Sequence, residues 1–502
     1  MFWDHVKKLG PQRKKGLPNS IKINGEVVSE QNDVLEEWRS QFHDLYNITD
    51  DRDTSDDFKR SIKPHLAQCE VEMNDPNHEE NSMLNASISF DEIEKIINKL
   101  RSNKATGIDF IPNEILKCQG IHLHLYKLFK IIFEHSVTPS VWLKGIINPI
   151  PKSSSKDPLI PLNYRGISLL SCVSKVYTSM LNVRIVKYCD TLDILVDEQI
   201  GFRPNRSCSD HIYTLTSIIR NKIDENCAVY AAFIDFAKAF DWVDRELLLY
   251  CLLQNNIDGK MYKSIKALYT STLSCVRIND MFSGWFFMNS GVRQGDSLSP
   301  TLFALFINDL AKEIKRLNTG VNINGRMVSV LLYADDIVLL AEKEQDLQTL
   351  LDCTYQWCMK WKLKVNIEKS KIMHFRSSRK RCTPYNFSFG QLELEKVPHY
   401  KYLGIFIDEH STFQHATNVL SESAGRALSA VISKYKQFRN VGYRTYNKMY
   451  ESAVIPVSDY AAEIWGYKDY PSSNKIQNRA IRFFLGVHKF APIAAIQGDM
   501  GW

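Results

Sequence analysis

"LLYADDIVLL", Leu331–Leu340, is the stretch whose reading decides the fold. Two adjacent acids, Asp335 and Asp336, sit among residues that are otherwise nearly all apolar. An uncompensated ion in such surroundings costs several kcal/mol. The apolar runs on either side read as two short strands, which puts the acids at a hairpin tip. At a turn, successive side chains need not alternate between faces as they do inside a strand. Both carboxylates can then be presented at one edge of a sheet. No Lys or Arg lies between Met327 and Ala341, so a bound cation is the economical counter-charge. Carboxylates without His or Cys favour hard ions such as Mg²⁺ or Mn²⁺. Taken alone, the pair also reads as an exposed turn.

A third acid sharpens the reading. "AAFIDFAKAFD" places Asp235 at the end of another apolar strand. Neighbouring strands ending in Asp235 and in the Asp335–Asp336 turn would form a carboxylate cluster able to hold two ions about 3.5–4 Å apart. That is the arrangement for in-line phosphoryl or nucleotidyl transfer.

The chain of 502 residues is long enough for two to four subdomains. It has no run of about 18 apolar residues, so no membrane span is expected. Its start, "MFWDHVKKLGPQRKKG", carries charges where a signal peptide needs an apolar core, so an intracellular protein is expected. Eleven cysteines without metal-type spacing read as reduced thiols. The net charge of +6 is unevenly spread. Residues 50–94 hold thirteen acids against four Lys/Arg, whereas residues 356–381 hold nine Lys/Arg against one acid and residues 426–448 hold six against none. A further basic block, residues 144–187, has seven against one. Such blocks read either as solvated helix faces or as parts of a polyanion groove; three of them flanking an acidic site favour nucleic acid.

Along the chain, mixed α and β elements alternate. "NGEVVSEQNDVLEEWRSQFHDLYN" has a turn followed by helical spacing, and the acidic stretch 48–82 reads as a mobile linker. "SISFDEIEKIINKL" starts a helix with a capping box, Ser89 and Glu92. "GIINPIPK" and "CAVYAAFIDF" read as strands. "LSPTLFALFINDLAKEIKRL" reads as a helix with Pro300 in its first turn. From Ser421 onward the pattern is mostly helical.

At this point several ordered motifs converge. "FIDFAKAFDWV", "GVRQGDSLSPTLFALFINDL", "YADD", "LKVNIEKSKIMHF" and "HYKYLGIFID" resemble the successive palm motifs of reverse transcriptases. Upstream, "NKATGIDFIPNEILK", "IINPIPK", "NYRGISLL" and "DEQIGFRPNRSCSDHI" resemble the finger segments of the non-LTR retrotransposon class, near the LINE, jockey and RTE groups. The resemblance runs in order from about Phe90 to Asp408.

This resemblance implies an α+β right-hand polymerase. It would comprise an N-terminal extension and acidic linker (1–88), fingers (89–225), a palm (226–375), primer-supporting strands (376–410) and a helical thumb-like region (411–502). It implies RNA-directed DNA synthesis onto a primer 3′-hydroxyl, with two Mg²⁺ or Mn²⁺ ions held by Asp235, Asp335 and Asp336, Asp235 and Asp335 being the main ligands. Lys369 would protonate the leaving pyrophosphate. Arg165 and Lys152 would grip the triphosphate. Gln294 and Gly295 would pack on the incoming base pair, Phe236 would belong to the nucleotide-binding residues, and Phe240 would block a ribose 2′-hydroxyl. Lys401, Tyr402, Leu403 and Gly404 would support the primer end, and Lys434, Lys436 and Arg439 the template–primer duplex. Gly166 stands where the family reads Pro, which would loosen the backbone beside Arg165.

The expected partners are an RNA template, a DNA primer and deoxynucleoside triphosphates, with an element-encoded or host RNA-binding protein as a further candidate and no membrane. The expected place of action is the nucleus after passage through the cytoplasm. "SDH", Ser209–His211, is a coincidental match to an endonuclease motif, and the sequence reads as a fragment or truncated copy of a longer element protein. Two rivals share the palm acids: an RNA-dependent RNA polymerase, and a catalytically silent nucleic-acid-binding remnant.

Overall fold

The computed structural model describes residues 16–23, 25–47, 53–75, 77–153, 156–438 and 442–502. The chain forms two compact units, each assembled from three stretches. One takes Met1–Val196, Ala237–Asp309 and Gln356–Lys364; the other takes Asp197–Phe236, Leu310–Tyr355 and Val365–Trp502.

The second unit is built on a four-stranded antiparallel sheet. Its order is Val330–Tyr333, Asp336–Ala341, Val229–Asp235, Lys371–Phe375. The two central strands are buried along their length except at Asp235 and Asp336. Burial on both faces explains why their sequences are continuous apolar runs and not alternating ones. One core cluster joins Ala231, Phe233, Val338 and Met373 of the sheet to Ile212, Leu215 and Ile219 of the Cys208–Asp224 helix. The edge strand Val330–Tyr333 is covered by residues 198–200: Leu332 N–H donates to Glu198 O at 2.9 Å and Ile200 N–H to Leu332 O at 3.1 Å. A hairpin, His399–Tyr402 with Ile405–Asp408, follows the sheet. Beyond it, the helices Gln414–Gln437, Tyr443–Ala453 and Pro471–Leu485 share a core of Leu428, Tyr446 and Ile481.

The first unit holds a sheet in which Lys144–Pro151 pairs antiparallel with Tyr164–Leu169 and parallel with Thr272–Ile278, which also pairs with Phe286–Met288. The helix Gln31–Tyr46 lays Val34, Trp38, Phe42 and Leu45 against Ile147, Tyr164 and Val276. Spacings of three and four put these side chains on one stripe. The Ser89–Glu92 capping box forms, with reciprocal bonds of 3.2 and 3.0 Å. The helix Ser299–Arg316 carries Pro300 in its first turn.

The stretch read as a mobile linker is largely a helix, Asp53–Glu72. Its charges are matched, not merely solvated. Lys59 Nζ lies 2.9 Å from both Asp244 and Glu246, and Glu70 accepts from Lys266 at 2.6 Å and Tyr262 at 3.0 Å. Phe58 meets Tyr250 and Trp361 ring to ring, and Ile62 is buried. Composition read as disorder because the partners of these few apolar and acidic side chains lie about 180 to 300 residues away in sequence. All eleven cysteines are free, and among the described residues no helix is long and apolar enough to cross a membrane.

Candidate active site

Asp235 closes the strand Val229–Asp235 and Asp336 opens Asp336–Ala341; the two are direct register partners. Cross-strand partners project to the same face. Tyr333 pairs with Asp336, so Ala334 and Asp335 form a two-residue loop. Ala334 has φ of +59°, a left-handed conformation that costs a non-glycine roughly 1 kcal/mol. The surrounding chain enforces it. Gln199 is fully buried, and its Oε1 accepts from Gly201 N–H at 3.0 Å and Ala334 N–H at 3.4 Å. A Cβ on Gly201 would fall 2.3 Å from Ala334 N. "QIGF" is therefore pressed against the acid turn, and the glycine permits the approach.

The electrostatics follow from this geometry. The Asp336 carboxyl is pushed up to about 6, first by burial and then by the charges of Asp335 and Asp235, with Lys369 opposing. Lys369 Nζ lies 3.4 Å from Asp235 Oδ1 and is 60% exposed. The Asp235 backbone is fixed by its N–H donating to Ser370 Oγ at 3.1 Å and its O accepting from Asn366 N–H at 2.8 Å. All three aspartates thus reach one end of the sheet. Among the described residues no three His, Cys, Asp or Glu side chains stand as a metal-binding group. Like charges facing one another repel. The donor set itself fits a hard divalent cation, since it is all carboxylate.

The His399–Tyr402/Ile405–Asp408 hairpin turns through Leu403 (φ +45°) and Gly404 (φ +94°). Tyr400 stacks on Phe233 with ring centroids 4.3 Å apart. Burial, followed by the charges of Asp336 and Asp235, pushes its hydroxyl up to about 12. Lys401 and Gly404 are exposed, whereas Leu403 O accepts from Tyr460 OH at 2.7 Å. Tyr402 corrects the expectation of a primer contact. It is buried, and its hydroxyl lies 2.7 Å from His211 Nδ1. Burial holds that histidine at about 4, so it is neutral near pH 7. Tyr402 and His211 are core supports beneath the hairpin. Phe236 is corrected likewise: it is buried, so its ring cannot touch a nucleotide.

In the first unit, Arg165 and Lys152 are exposed; Lys152 Nζ donates to Leu162 O at 2.9 Å. Gly166 does not loosen its strand. It pairs with Pro149, and a Cβ there would fall 2.6 Å from Phe42 Cε1 and 3.1 Å from Ile147 Cγ2. Close packing of the Gln31–Tyr46 helix accounts for the glycine. Gln294 O accepts from Ser168 N–H at 2.8 Å, and its Nε2 donates to Asp241 Oδ1 at 2.6 Å. Gly295 has φ of +116°, with Ser168 O only 2.6 Å from where its Cβ would be. Phe240 is half-buried and stacks on Phe303 at 4.5 Å.

On the helix Gln414–Gln437, Lys434 Nζ donates to Gln437 at 3.3 Å and Lys436 sits 5.8 Å over the Phe483 ring. Arg439 lies outside the described residues. Sequence reasoning missed a groove of about 850 Å³ along the same helix, lined by Arg426, Lys475 and Arg479. It also missed Gln199, Gly201 and Ser370, whose roles come from pairings across the chain. Gly201 in "GFRPN" was the available signal.

These features lie within a recognisable family. The model for "Reverse transcriptase (RNA-dependent DNA polymerase)" matches residues 150–407, and the chain belongs to that family. Its relatives are polymerases of non-LTR retrotransposons. The chain is 28% identical over 406 residues to the probable RNA-directed DNA polymerase from transposon BS of Drosophila melanogaster, covering 79% of this chain and 44% of that protein. It is 25% identical over 425 residues to the RNA-directed DNA polymerase from mobile element jockey of Drosophila funebris, covering 82% and 45%. The chain therefore spans less than half the length of these relatives. A solved telomerase from Candida albicans, in complex with a fragment of telomeric RNA, aligns with a TM-score of 0.40 at 11% identity over 76% of this chain and 71% of that one.

Proposed function

We propose that this chain is an RNA-directed DNA polymerase that extends a primer 3′-hydroxyl with deoxynucleotides. The observation that carries the reading is the cross-strand pairing of Asp235 with Asp336, with Asp335 adjacent in the turn, inside the span that the family model matches.

Asp235, Asp335 and Asp336 would hold two Mg²⁺ or Mn²⁺ ions. Bound there, the metal supplies acidification of the attacking hydroxyl and charge compensation for the phosphates. The chain's own groups do the rest. The apolar strands and the Gln199–Gly201 strut fix the carboxylates before substrate arrives. Lys369 Nζ, exposed beside Asp235, is the candidate donor to the departing pyrophosphate. Arg165 and Lys152 bind the triphosphate as exposed cations. Phe240 presents an apolar ring where a 2′-hydroxyl would need a polar partner. Gln294 and Gly295 pack on the nascent base pair.

Lys401 and the turn at Leu403–Gly404 seat the primer end, with Tyr402 supporting them from the core. Lys434, Lys436 and Arg439 hold the duplex through its phosphates. The division into fingers 89–225, palm 226–375, primer-supporting strands 376–410 and thumb 411–502 belongs to the same reading. So do action in the nucleus and an accessory RNA-binding protein.

The test is primer extension by the purified chain on an RNA template with Mg²⁺. Extension with deoxynucleotides supports the reading. Extension that requires ribonucleotides supports an RNA polymerase, and duplex binding without extension a silent remnant.

A further inference from the structure

Asp241 directly follows Phe240 and has no part in the metal site. It is a buried acid whose Oδ1 accepts two hydrogen bonds, from Gln294 Nε2 at 2.6 Å and from Tyr46 OH at 3.1 Å. Burial raises its carboxyl to about 6, against the Tyr46 hydrogen bond, the charges of Lys152 and Lys238 and the Gln294 amide. The backbone around it is stitched on both sides. Val292 N–H donates to Phe240 O and Gly291 N–H to Val243 O, each at 2.8 Å. Ser290 Oγ donates to Tyr46 O at 3.0 Å and to Asp241 O at 3.1 Å. Gly291 has φ of +80°, and a Cβ there would fall 2.6 Å from Asp241 O. Gln294 is thus held at both ends, its amide by Asp241 and its backbone oxygen by Ser168, three residues after Arg165.

We infer that Asp241 is a positioning residue that fixes the Gln294 side chain for nucleotide selection, and that Tyr46 completes the device from outside the span matched by the family model. The inference rests on the polymerase reading above. A carboxylate oxygen that accepts two donors aims both of them. Removing it frees the Gln294 amide to rotate and leaves a buried hydroxyl and amide N–H unpaired. A buried acid serving stability alone would, when replaced, lower Tm and kcat without changing which nucleotide is chosen.

The test combines steady-state nucleotide kinetics with a double-mutant cycle. Asp241→Leu should raise KM for the correct deoxynucleotide by about tenfold and raise the ratio of incorrect to correct insertion, with kcat changed by no more than about twofold. Asp241→Asn, which keeps an acceptor oxygen, should restore most of the loss. Tyr46→Phe, a milder change that spares the core, should shift KM in the same direction by less. In a Gln294→Ala background, Asp241→Leu should change KM and selectivity little further. Unchanged selectivity in Asp241→Leu, or effects of Asp241→Leu and Gln294→Ala that simply multiply, would overturn the inference. A wild type that extends no primer would sink the polymerase reading instead. The pair is then judged by thermal unfolding of the same four proteins, where additive losses refute the coupling and non-additive losses uphold it.

Discussion

Asp235 and Asp336 stand directly opposite one another at the end of two paired antiparallel strands. Like charges in that position oppose folding, and the apolar ladder behind them, from Ile337↔Ile234 to Ala341↔Tyr230, holds them together nonetheless. The metal-free protein therefore carries a stability cost localised at Asp336. Its carboxyl lies at about 6 in the fold against an ordinary value of 3.8. A raised acid contributes stability that is fully present below pH 3.8 and is lost as pH rises through 6. In Mg²⁺-free buffer, Asp336→Asn should match the wild type near pH 4 and exceed it by roughly 3 kcal/mol above pH 7. Millimolar Mg²⁺ should narrow that gap by stabilising the wild type. Equal stabilities across the range, measured by urea unfolding, would remove the charge argument.

Gly201 predicts a defect in the site without an altered acid. A Cβ at this position meets backbone, Ala334 N at 2.3 Å, which no side-chain rotation relieves. Gly201→Ala should displace the Ala334–Asp335 turn, lowering kcat by about a hundredfold on the scale of misplaced catalytic groups. Duplex affinity should stay near that of the wild type. Normal kcat in the variant would show that the strut does not position the acids.

Phe240 predicts the choice of sugar. Its ring is half-buried and stacked on Phe303, so part of it serves packing. Phe240→Val keeps a β-branched apolar side chain while removing the ring. The ratio of kcat/KM for a deoxynucleotide to that for its ribonucleotide partner should be high in the wild type and fall by about tenfold or more in the variant, since an unpaired hydroxyl costs about 1–3 kcal/mol. An unchanged ratio would return Phe240 to a purely structural role.

The cations of the C-terminal helices predict a salt dependence. Lys434 and Lys436 lie on the Gln414–Gln437 helix, and Arg426, Lys475 and Arg479 line its groove. Each neutralised phosphate adds about 0.9 to the slope of log affinity against log salt for B-form duplex. Substituting Lys434 and Lys436 by Gln should reduce the slope measured by fluorescence anisotropy. If the slope stays the same, the duplex lies elsewhere, and the groove residues become the next to test.

Much of the site was legible because the signals were local. An acid pair flanked by apolar strands fixes a hairpin, and a third acid ending another such strand fixes its neighbour. The register that set Asp336 against Asp235 was not legible, because strand pairing is decided by the whole sheet. Tyr402 and Phe236 carry contact roles in the sequence reading through the motifs they belong to; alternation along a strand, or burial at its end, turns each inward. Gly166 looked like a loosened backbone until Phe42, more than a hundred residues upstream, was seen to need its space. The acidic stretch read as a linker fails in the same way: its ordering comes from Lys266, Asp244 and Trp361, none of them nearby in sequence.

The central claim is that Asp235, Asp335 and Asp336 make this chain an RNA-directed DNA polymerase. The most direct measurement is extension of a labelled DNA primer on an RNA template by the purified chain with Mg²⁺ and deoxynucleotides, beside Asp235→Asn and Asp335→Asn. The account predicts extension by the wild type, and none by either variant although both still bind the duplex. Extension retained by either variant, or a wild type that extends only with ribonucleotides, would contradict it.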